Sequence, residues 1–82
     1  MKNPSIPLSC IDFDKDYIVK HITSDILAKN FRGYGLSPGT KIKLLFKSPT
    51  GNPCAYEVLG TVIALRFEDT QNIYVNSMTA YD

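Results

Sequence analysis

Gly35-Leu36-Ser37-Pro38-Gly39-Thr40 decides how this chain reads. Gly35, Ser37 and Gly39 fit the G-x-S-x-G pattern of a hydrolase nucleophile. That pattern needs a strand before the serine and a helix after it. Here the order is reversed. Upstream, Leu27, Phe31 and Tyr34 recur at helical spacing, and downstream Lys41-Ile42-Lys43-Leu44 alternates as a strand does. Pro38 would also break the hydrogen bonding of a helix starting at the serine. The only histidine, His21, precedes Ser37, whereas the hydrolase order places it last. The segment therefore predicts a helix stop joined to a strand start. Gly35 takes the left-handed position after the helix, and Leu36 makes the apolar contact that often follows it.

Working outward, the helix has a cap in Thr23-Ser24-Asp25 before Ile26-Leu27-Ala28. Before it, Tyr17 to Ile22 is rich in β-formers, and its apolar phase slips between Val19 and Ile22, which predicts a bulge. After it, Pro38-Gly39 turns the chain into a strand from Thr40 to Lys47. Ile42, Leu44 and Phe46 take one face there, and Lys41, Lys43, Leu45 and Lys47 the other. Ser48 to Pro53 is a turn. Cys54, Tyr56 and Val58 line a third strand, Gly60 makes a tight turn, and Val62 to Arg66 is a fourth strand. Phe67 to Asn72 is a short connection with room for one helical turn, and Ile73-Tyr74-Val75 is the last strand. Residues 1–9, with Pro4 and Pro7, read as a loose arm. The expected fold is mainly β with one short helix: a closed or nearly closed small barrel of about five strands. Closure protects sheet edges that a small chain would otherwise expose.

Composition narrows the function classes. The chain has 82 residues, room for a single domain spanning 1–82, and 44% of them are apolar, which suits a globular core. A net charge of +1 carries no signal for nucleic acid or an anionic membrane. No apolar run reaches membrane-spanning length, and Met1-Lys2-Asn3-Pro4-Ser5 has no secretory core, so the expected compartment is the cytoplasm. Cys10 and Cys54 form no C-x-x-C motif and read as free thiols, a single bridge being the alternative.

Chemical motifs are sparse. Asp12, Asp14 and Asp16 open like a calcium loop, but Tyr17 and Thr23 stand where that loop needs Gly and Glu. The three carboxylates then read as a solvated entry to the first strand. No second histidine accompanies His21, so no metal site is expected, nor any cofactor. Between Ile26 and Tyr56 there are five basic residues, Lys29, Arg32, Lys41, Lys43 and Lys47, and no acidic ones. Small barrels can track a nucleic-acid backbone with such a strand. A charged outer face is the simpler reading. No catalytic residues are assigned.

Taken together, Phe31 to Val75 resembles the ferrous-iron transport protein A family, the FeoA-like domains. The stretches that carry the resemblance are Phe31 to Thr40, Ser48 to Pro53 and Thr61 to Arg66, with Ile73-Tyr74-Val75 at the end. The family pattern places Leu where this chain has Tyr34 and Asp where it has Asn52. The resemblance implies an SH3-like small barrel. It also implies a non-catalytic, cytosolic accessory role in ferrous iron uptake, with the membrane ferrous-iron transporter and its GTPase domain (FeoB-type) as partner. A nucleic-acid-binding small barrel and a metal-sensing domain are the alternatives. The expected partner surface lies where the helix end meets the barrel: Phe31, Tyr34 and Leu36, rimmed by Lys29 and Arg32. Leu45, between Lys43 and Lys47, is a second candidate.

Overall fold

The computed structural model describes residues 5–78. Six strands form one antiparallel sheet: β1 (Ile6–Pro7), β2 (Asp16–Ile22), β3 (Lys41–Lys47), β4 (Cys54–Val58), β5 (Thr61–Leu65) and β6 (Ile73–Ser77). Their order across the sheet is β1-β6-β2-β3-β4-β5. Helix α1 (Asp25–Phe31) follows β2, and the single turn α2 (Phe67–Thr70) links β5 to β6. Alternation places Val19, Ile42, Val58, Ile73 and Val75 on one face, each fully buried. Burying each such side chain stabilises the fold by about 1.5–3 kcal/mol. Residues from β2 through β6, with Leu8, Leu27 and Leu36, form a single apolar cluster. The sheet is thus rolled around its own core. Among the described residues no ladder joins β5 to β1, so the small barrel stays open along that seam.

Local chemistry sets the boundaries of α1. The Ser24 hydroxyl accepts the Leu27 N–H at 3.2 Å, capping the first turn. After α1 the chain tightens into a 3-10 turn over Arg32–Tyr34 and stops at Gly35, with φ of 94°. Gly35 N–H donates to the Arg32 carbonyl at 3.0 Å and Leu36 N–H to the Phe31 carbonyl at 3.3 Å. This bond pair is the Schellman stop, which needs a positive φ and therefore favours glycine. Thr40 N–H then returns to the Ser37 carbonyl at 3.1 Å, and β3 begins one residue on. The bulge expected in β2 lies between Val19 and His21.

Two expectations are corrected. The arm over 1–9 is structured from Ile6 onward: Ile6 pairs with Val75, Pro7 with Tyr74, and Leu8 is fully buried. Pro7 suits this place because an edge strand can spare a backbone donor. This pairing adds a sixth strand, and residues 1–4 lie outside the described residues. The second correction concerns Phe46. A bulge between Leu44 and Phe46 makes the β3–β4 ladder skip Leu45, and the face alternation slips by one. Phe46 consequently turns outward, 59% exposed, instead of joining Ile42 and Leu44 in the core.

Candidate functional site

The helix end and the β4–β5 turn meet over Gly35. The turn is Leu59-Gly60, with φ of 50° and 80°, a two-residue hairpin of the I′ kind. Asn, Asp or Gly normally fills its first position, because a left-handed backbone costs other residues about 1–2 kcal/mol. Here a leucine fills it, and 72% of that leucine is exposed. Its side chain lies on Gly35: a Cβ built there would sit 2.5 Å from Leu59 Cδ1. Gly35 is therefore needed twice, for its φ and for the space above it.

Tyr34 precedes Gly35 and is 53% exposed. Phe31 is half-buried, packs against the core, and holds Tyr34 in a tilted ring contact at 5.9 Å. Lys29 and Arg32 are exposed on the last turns of this helical segment. Beyond Leu59 a cleft of about 300 Å³ is lined by Asp16, Lys41, Lys43, Glu57, Leu59 and Gly60. Two exposed apolar side chains, Tyr34 next to Gly35 in sequence and Leu59 packed over it, thus stand beside a cleft with charges of both signs.

The expected site residues divide accordingly. Phe31 and Tyr34 are in contact, with Lys29 and Arg32 exposed on the same helical segment. Leu36 is 1% exposed and belongs to the core, so it is withdrawn from the surface. It follows Gly35 in the helix stop, and that motif directs it inward. Leu45 is half-buried in the β3 bulge, at the position the ladder skips. Leu59 escaped sequence reasoning. The available signal was a large apolar residue directly before the turn glycine Gly60, where small polar residues are usual.

Several other polar groups have structural partners. Ser37 shares a hydrogen bond with the Thr40 hydroxyl at 3.2 Å, within the turn. His21 stacks on Tyr74, with ring centroids 4.9 Å apart. Among the described residues no three of His, Cys, Asp and Glu gather where a metal could be held. Two of the five basic residues are engaged: Lys43 pairs with Asp16 at 3.8 Å, and Lys47 lies 5.5 Å over the Phe13 ring. Both cysteines are free thiols, and the Cys54 thiol donates to the Gly51 carbonyl at 3.4 Å. Burial, and then the neighbouring Cys54 thiol, hold the Tyr56 phenol well above its ordinary pKa. No helix among the described residues is long and apolar enough to cross a membrane.

Comparison with known proteins follows the same lines. No curated protein matches the chain. The FeoA protein from Chlorobium tepidum is similar in structure, with a TM-score of 0.85 and 21% identity over 90% of this chain and 71% of that one. FeoA from Stenotrophomonas maltophilia, solved with zinc and described as a prokaryotic SH3 domain protein, has a TM-score of 0.74 and 24% identity, covering 87% of this chain and 89% of that one. A manganese-dependent transcriptional repressor also shares the fold, with a TM-score of 0.80 and 16% identity over 95% of this chain but only 44% of its own. These likenesses establish an SH3-like small-barrel fold. The family model of the FeoA domain matches residues 6–77, nearly the whole described chain, and the protein belongs to the FeoA family.

Proposed function

We propose that this chain is a non-catalytic, cytoplasmic accessory protein of ferrous-iron uptake. In this reading it binds the cytosolic, GTPase-bearing part of the membrane ferrous-iron transporter through the exposed side chains of Tyr34 and Leu59. Family membership supports the iron-transport setting. The Stenotrophomonas relative is itself described as a candidate ferrous iron transport activating factor.

The observation that carries the site is Leu59. It holds a left-handed backbone that glycine or asparagine would adopt at less cost, while leaving 72% of its surface in water. Neither feature helps the isolated fold. A partner that covers the side chain accounts for both, because burying a leucine contributes about 1.5–3 kcal/mol. Lys29 and Arg32 form the polar rim, and the mixed charges of the adjacent cleft fix the register of the partner.

A pull-down with the transporter's isolated cytosolic domain tests this reading. The wild-type chain should be retained, and a folded Phe31→Ala, Tyr34→Ala double variant should not. Equal retention of both would remove the site assignment, and no retention of the wild-type chain would remove the function.

A further inference from the structure

The two edges of the sheet differ in character. β1 is two residues long and ends in Pro7, so little of it can accept another strand. β5 is Thr61-Val62-Ile63-Ala64-Leu65, with no charge, proline or glycine. It pairs with β4 along an unbroken register from Val58–Thr61 to Cys54–Leu65. Natural edge strands are normally blunted by charge, proline, a bulge or a cover. Sequence and register supply none of the first three here. Among the described residues no further strand pairs with β5.

The hairpin fixes which backbone groups are free. A two-residue turn makes Val58 and Thr61 a hydrogen-bonded pair, and the pattern then alternates. Thr61, Ile63 and Leu65 therefore direct their N–H and C=O groups at β4. Val62 and Ala64 direct theirs outward, and among the described residues no loop or turn takes them up. The Val62 side chain is 57% exposed and Ala64 is exposed as well.

We propose that the β5 edge pairs, antiparallel, with the β5 edge of a second copy of this chain. The strand is self-complementary about a two-fold axis at Ile63. Val62 comes opposite the partner's Ala64, and each exchanges N–H and C=O with the other. Thr61 comes opposite the partner's Leu65, so no like charges face each other along the strand. The same register brings Leu59 level with the partner's Phe67. These two side chains are 72% and 55% exposed in the single copy. Such a contact is isologous and closes on itself, which yields a dimer and not a filament. One short strand on each side makes a small interface, so the dimer is a transient one.

Sedimentation of the full chain across a concentration series, from about 10 μM to about 1 mM, tests this in the range where weak dimers populate. Reversible dimerisation is expected. Val62→Lys places a charge on the edge, and Ala64→Pro removes an outward donor without touching the β4 ladder. Each should weaken dimerisation at least about tenfold, with melting temperature showing whether the variant is folded. Amide exchange on the wild-type chain needs no variant: protection at Val62 and Ala64 should rise with concentration. Three results would overturn the proposal: a monomer throughout, protection independent of concentration, or a dimer unchanged by both substitutions. A monomer throughout would leave the transporter reading untouched, whereas a dimer would compete with the transporter for Leu59.

Discussion

Replacing Gly35 by alanine probes the junction on which the site is built. Two costs arise. The residue has φ of 94°, where alanine is strained by about 1–2 kcal/mol. The new Cβ would also meet Leu59 Cδ1 at 2.5 Å, so that side chain must swing aside. Its tip is flexible and solvent-facing, and an off-rotamer displacement costs about 0.5–1.5 kcal/mol. Loss of glycine's freedom in the unfolded chain returns about 0.4–1 kcal/mol. The net expectation is a loss of about 1–2 kcal/mol, or roughly 5–15 °C in melting temperature for a domain of this size. Gly39→Ala is the control, because Gly39 has φ of 93° but nothing within 4 Å of a built Cβ. It should show the backbone cost alone. In a Leu59→Ala background, Gly35→Ala should fall to the Gly39→Ala level, to within about 0.5 kcal/mol. Thermal and denaturant unfolding of these variants measure all the terms. The reasoning is refuted if Gly35→Ala is as stable as wild type, or if its penalty persists unchanged without Leu59.

Three further outcomes follow from single groups. Ser24→Ala removes the N-cap bond to Leu27 and should cost about 1 kcal/mol in denaturant unfolding. Leu36→Ala should cost about 2–5 kcal/mol as a core cavity, and a loss below about 1 kcal/mol would contradict its reassignment from surface to core. Tyr56 has a folded pKa raised above its unfolded value of 10.0, so its contribution is complete below about pH 10 and declines as the pH rises further. The decline approaches about 1.4 kcal/mol per pH unit, and Tyr56→Phe should remove it from urea titrations at alkaline pH.

Local rules made much of the fold legible. The Ser24 cap, the Gly35 stop and the phase slip after Val19 are each written in a few adjacent residues. What escaped depends on partners distant in sequence. Ile6 and Pro7 look like a loose arm until β6, about seventy residues later, offers them a ladder. Phe46 reads as a core residue because its strand alternates cleanly; only the ladder to β4 shows that Leu45 is skipped. The site behaves likewise. Phe31 and Tyr34 stand out by helical spacing and are in contact, whereas Leu36 shares their apolar character but serves the core. Leu59 becomes conspicuous only once its φ and exposure are known, and its neighbour Gly35 is twenty-four residues away in the chain.

Calorimetric titration of the transporter's cytosolic GTPase domain into this chain, alongside a Leu59→Asn variant, tests the central claim. Asparagine accepts the left-handed backbone, so the variant should be about 1 kcal/mol more stable than wild type. It should also bind at least about tenfold more weakly, because the covered leucine is gone. A variant that is more stable and binds as tightly as wild type would contradict the account.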